Sequence, residues 1–116
     1  NSFGGIAYVD VLCDNQPDFK TAVSRVNGGF NQFPNYSWTV NVLSHEAGHN
    51  LGSPHTHSCF WNGNNTQIDD AGNIWLDNNG GNPGSCYNSN NPVLPAGGGT
   101  IMSYGHLISG FGINLI

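Results

Sequence analysis

Basic residues are almost missing from this chain. Lys20 and Arg25 are the only two in 116 residues, against seven acids, and the formal charge is -5. A surface without clustered Lys and Arg cannot neutralise a run of phosphates, which excludes nucleic acid and anionic membrane as main partners. Long apolar runs are missing as well: nothing approaches the roughly 20 residues needed to span a bilayer, and no basic segment followed by an apolar one opens the chain. Position 1 is Asn, not Met, which reads as a mature protein or an excerpt. Cysteine is scarce. Cys13, Cys59 and Cys86 include no closely spaced pair, so a cysteine zinc knuckle is excluded, and one bridge with one leftover thiol is expected. Glutamate and methionine each occur once, as Glu46 and Met102.

What is present is glycine, 17 residues of it, and much asparagine. The length allows one small domain with a thin core, and this low-lysine, mildly acidic composition suits a secreted protein, where a bridge persists. "GGIAYVDVL", residues 4–12, alternates and is rich in β-formers, so it reads as a strand. "KTAVSRV", 20–26, reads as its antiparallel neighbour. From about Ser37 the period changes to that of a helix running to Leu51. Trp38, Val42, His45 and His49 fall on one stripe, and Val40, Leu43, Ala47 and Leu51 on an adjoining one, which predicts a buried amphipathic helix capped by Ser37 or Asn35. Gly52 and Pro54 then stop it. Residues 61–99 are dominated by Asn, Gly, Asp and Pro and read as a long irregular loop region. A Cys59 to Cys86 bridge would pin it; pairings through Cys13 are the alternative.

"HEAGHNLGSPH", residues 45–55, concentrates the chemistry. His45 and His49, four apart on a helix, share one face about 6 Å apart along the axis, so two imidazoles can meet one ion. The turn at Gly52 swings His55 back as a third ligand, which leaves a zinc ion an open position of the catalytic kind. Glu46 projects about 100° round the helix, beside the metal, where a carboxylate serves as general base. His57 is a competing ligand whose spacing is less favourable. A shuffled chain of this composition would contain His-Glu-x-x-His-x-x-Gly-x-x-His with a probability on the order of 10⁻⁵.

With "GTIMSY" at 99–104, the pattern resembles the metzincin zinc endopeptidases, which join an extended zinc motif to a Met-turn. "GGIAYVDVLC", "HNLGSPHTHSCFWNGNNTQID", "GTIMSYGHL" and "GFGIN" are most similar to the secreted bacterial reprolysin (adamalysin- or ADAM-like) branch. The resemblance implies an α+β zincin fold with a small sheet, an antiparallel edge strand, an active-site helix and an irregular lower subdomain. Residues 1–52 would end the upper subdomain and 53–116 form the lower one. It implies zinc on His45, His49 and His55, Glu46 polarising the attacking water, and Met102 as an apolar floor. It further implies a peptide substrate pairing with the strand at Gly5, Ile6, Ala7, Tyr8 and Val9, and His106 and Leu107 walling the pocket for the side chain after the scissile bond. In astacin-like and serralysin-like relatives a Tyr at the spacing of Tyr104 aids catalysis; plain pocket lining is the other reading.

Two departures stand out. Metzincin catalytic domains carry further strands and a helix before the edge strand, so this chain reads as a C-terminal portion whose N-terminal part is a missing partner. Relatives often have Cys where Ala71 and Gly105 stand, which leaves Cys13 without a usual partner. Asp69, Asp70 and Asp77 could hold Ca²⁺, but no calcium-loop pattern occurs, and solvated Asx-turns are the preferred reading. The sequence therefore predicts a zinc endopeptidase. A noncatalytic zinc-binding adhesion or recognition module and a zinc amidase acting on nonprotein amides are the alternatives.

Overall fold

A computed structural model describes residues 4–32 and 35–114. It is an α+β arrangement: strand β1 (Gly5–Ala7), strand β2 (Ala22–Ser24), helix α1 (Trp38–Asn50) and helix α2 (Ala71–Asn78), with short 3₁₀ turns at Pro17–Phe19 and Gly105–Leu107. Two compact units divide it, Asn1–Pro54 with Leu115–Ile116, and His55–Asn114. No helix among the described residues is long and apolar enough to cross a membrane.

In the first unit β1 and β2 pair antiparallel, with Gly5 opposite Ser24, Ile6 opposite Val23 and Ala7 opposite Ala22. The ladder is shorter than the alternation predicts. Asp10 takes a left-handed conformation (φ 58°), which ends extended chain, and the next amides turn to the helix instead. Asp10 N–H donates to the carbonyl of His49 at 2.9 Å, and the N–H groups of Val11 and Leu12 donate to that of Asn50 at 3.2 and 3.3 Å. Helix C-termini leave their last carbonyls unpaired; here a segment some 40 residues earlier in the chain satisfies them. The Asn50 side chain adds to the seam, donating to the carbonyls of Tyr8 at 2.9 Å and Thr21 at 3.3 Å.

Helix α1 begins after Ser37 as predicted, but Ser37 makes no side-chain cap; its hydroxyl donates to Gly29 O at 2.9 Å. The buried face also differs. Val42, His45 and His49 are buried, together with Thr39, Asn41, Glu46 and Asn50. The adjoining apolar stripe is exposed: Val40, Leu43 and Leu51 face outward, Leu51 at 72%. Periodicity identified the helix but not which stripe is covered: Asn41 is buried with its Oδ1 unpartnered, while Leu43 is exposed.

In the second unit a helix stands where the sequence reads as irregular loop. Helix α2 is held by Asp70 and Asn73, both fully buried. Asp70 exchanges bonds with Val93, its N–H donating to Val93 O and its carboxylate accepting Val93 N–H, each at 2.7 Å. It also accepts from Gln67 Nε2 and Asn73 Nδ2. Asn73 in turn donates to His57 O at 3.2 Å and accepts Gly84 N–H at 2.9 Å. A disulfide joins Cys59 to Cys86 across 27 residues, a loop whose closure stabilises by about 3.5 kcal/mol on chain-entropy grounds. Cys13 is free and exposed. Among the described residues the buried hydrophobic side chains are Val11, Val42 and Ala71, against thirteen buried polar or charged ones. The interior is a hydrogen-bonded network more than an apolar core.

Candidate metal centre

The helix N-terminal to Gly52 presents His45, Glu46 and His49 on its buried side. The rings of His45 and His49 meet edge to face, 4.8 Å apart. His49 Nδ1 lies 2.7 Å from the carbonyl of Ser53. A carbonyl only accepts, so Nδ1 carries the proton and Nε2 keeps its lone pair for a metal. The same turn is closed by Gly52 N–H to His49 O and Ser53 N–H to Gly48 O, both at 2.9 Å. Gly52 has φ 96°, a conformation that a Cβ resists by roughly 1–2 kcal/mol. His55 follows two residues after this local lock.

The result is a group of three ligand nitrogens, from His45, His49 and His55, all within 4.8 Å of one another. Nitrogens bound to one zinc ion at tetrahedral angles stand about 3.4 Å apart. The donor set, three imidazoles and no thiolate, suits zinc with one position left open. Among the described residues no other group of three metal-binding side chains occurs.

Glu46 is 4% exposed, and burial pushes its carboxyl above the usual range, because desolvation disfavours the charged form. The backbone of β1 lies directly on it. A Cβ at Gly5 would overlap the Glu46 carboxyl, so glycine here is a matter of space, and the strand and the carboxylate are in contact. Ile6, Tyr8 and Val9 are exposed, Gly5 and Ala7 half-buried.

In the second unit the chain after His55 is tied to the turn at Thr100–Ser103. Thr56 N–H donates to Met102 O at 3.2 Å, and the turn itself is closed by Ser103 N–H to Thr100 O at 2.9 Å. Ser103, fully buried, donates its hydroxyl to Asp69 Oδ1 at 3.0 Å. Asp69 is 1% exposed and its Oδ1 also accepts Ala71 N–H. The Asx-turn expected there exists, but it is buried, not solvated. The Asp70 carboxylate is taken up by protein donors, whereas Asp69 Oδ2 is buried without a hydrogen-bond partner. Thr56, Asp69 and Ser103 were missed as site residues; only contacts distant in sequence mark them.

Around His55 the second unit gathers rings. Tyr104 stands 4.8 Å from His55 and 5.1 Å from His57, centroid to centroid, with Trp75 at 6.2 Å and His106 at 6.3 Å from it. Burial holds the imidazoles of His57 and His106 below their ordinary range; at His57 it outweighs the opposing pull of Asp69 and Asp70. Leu107 is exposed and Met102 half-buried.

Compared with known families, residues 1–107 match the family model Reprolysin_5, described as metallo-peptidase family M12. No curated protein and no solved structure gives a significant match.

Proposed function

The chain belongs to the reprolysin-type metallopeptidases of family M12, and from that premise we propose that it is a zinc-dependent endopeptidase with Glu46 as general base. One observation carries the proposal: three imidazole nitrogens within 4.8 Å adjoin a buried carboxylate one residue from the first of them. His45, His49 and His55 would hold the ion. Zinc in such a site supplies Lewis acidity that lowers the pKa of water toward about 7.

The protein's own groups do the rest. Glu46 accepts a proton from the attacking water at a carboxylate oxygen and returns it to the departing amine. Its burial strengthens that exchange by excluding bulk water. A peptide substrate lies extended along Gly5 to Val9 and exchanges backbone hydrogen bonds with the strand, while His106 and Leu107 line the pocket for the side chain after the scissile bond. Met102 supplies an apolar surface at the turn. Tyr104 donates from its hydroxyl to the oxygen on which charge develops. Tyr104→Phe is accordingly expected to lower kcat by about 10²-fold with zinc content unchanged; an unaltered kcat would reduce Tyr104 to lining the site. The disulfide favours an oxidising, extracellular setting, and the motif set favours the bacterial secreted branch.

The test is elemental analysis of the purified chain, with folding followed by far-UV circular dichroism, alongside digestion of an unstructured protein. One zinc per chain and internal cleavage abolished by a chelator are expected. A folded chain without zinc would sink the assignment.

A further inference from the structure

We propose that His57 is a positioning residue for the third imidazole of the cluster: its ring is a flat plate that fixes the plane of His55 and so the direction of its metal-facing nitrogen. The inference rests on His55 being a ligand. Helix α1 carries the other two, and Ser53 fixes the tautomer of His49. His55 stands outside helix and strand, half-buried.

Four observations within the second unit point to the plate. The rings of His55 and His57 are stacked, 4.9 Å apart and within 13° of parallel. Tyr104 meets His55 edge to face and lies tilted against His57, so the two imidazoles and the phenol brace one another. His57 Nδ1 is buried without a hydrogen-bond partner. A buried imidazole whose Nδ1 makes no bond contributes its face, since that polar atom only costs desolvation. Finally, the surroundings are shaped to hold the ring. Gly72 lacks the Cβ that would overlap it, Asn73 Nδ2 binds the His57 carbonyl at 3.2 Å, and the disulfide begins two residues on at Cys59. His57 is not among the three clustered nitrogens, so its role is to orient and not to coordinate.

Side chains that orient metal ligands are worth about 10- to 100-fold in affinity. A plate without a hydrogen bond belongs at the low end. The experiment is zinc affinity by chelator competition, with the visible absorption of the Co²⁺-substituted chain as a signature of ligand geometry and thermal melting as a check of folding. It compares wild type, His55→Ala, His57→Phe and His57→Leu. Phenylalanine keeps a flat ring and no nitrogen; leucine fills space without a plane. His57→Phe should keep wild-type affinity and spectrum, and His57→Leu should bind about tenfold more weakly with an altered spectrum. Equal weakening in both would show that a nitrogen matters, and no weakening in either would show that nothing does; each overturns the proposal. Where a His57 variant does not fold, Gly72→Ala puts a methyl group where the intact ring now lies and should weaken zinc binding; unchanged affinity there overturns the proposal as well. Wild type without zinc, or His55→Ala binding like wild type, would instead remove the ligand assignment beneath it.

Discussion

Glu46→Gln should retain its zinc and hydrolyse peptides about 10²- to 10⁴-fold more slowly, the range by which a positioned general base accelerates proton transfer. The substitution suits the site because it keeps volume where volume is constrained: the carboxyl lies against the backbone of Gly5 and is nearly closed off from solvent. Stability should not suffer. A carboxyl whose pKa is raised by burial is destabilising in its ionised form, so at neutral pH a neutral amide removes that cost. The measurement is kcat/KM with equal zinc content in both proteins, together with their melting temperatures. Unchanged hydrolysis would take the general-base role from Glu46. Tight zinc binding without hydrolysis in the wild type would favour the adhesion or recognition module instead.

His49→Ala should abolish stoichiometric zinc binding, and with it hydrolysis. His49 is joined by Nδ1 to Ser53 and by its carbonyl to Asp10 and Gly52. Truncation removes a ligand and also loosens the turn that brings His55 back. The effect is readable without a substrate. A ligand that binds only the folded chain stabilises it by about 4 kcal/mol at a thousandfold excess over Kd. Wild type should therefore melt higher when zinc is added, and the variant should not respond. An equal zinc-dependent rise in the variant would place the metal elsewhere.

The cluster was legible because it is local. A helix brings positions 45 and 49 to one face, and a glycine turn returns the chain six residues after the second histidine. The antiparallel pairing of β1 with β2 was within reach of alternation, and the Cys59 to Cys86 bridge was preferred as a pin for the long loop, with pairings through Cys13 left open. Helix α2 was not. "AGNIWLDN" has weak helix propensity and no clear period, and it forms because Asp70 and Asn73 find partners at Val93, His57 and Gly84. The early end of β1 has a similar origin: its next amides are taken by the helix carbonyls of His49 and Asn50. Burial on α1 also went against hydropathy. Thr39 donates to Asn27 Oδ1, and Asn50 to Tyr8 and Thr21, so these two polar side chains have distant partners; Asn41 is covered with its Oδ1 unpartnered, while Leu43 and Leu51 stay outside.

That polar interior has a calorimetric consequence. Exposing apolar surface on unfolding raises the heat capacity by about 0.45 cal/mol/K per Å², and exposing polar surface lowers it by about 0.26. A chain that hides Thr, Asn, Asp, Glu and His in place of Leu and Ile releases much of the second kind. Its heat-capacity increment falls below the usual 12–15 cal/mol/K per residue, roughly. The free-energy curve against temperature is then shallow, and the folded state loses little stability on cooling.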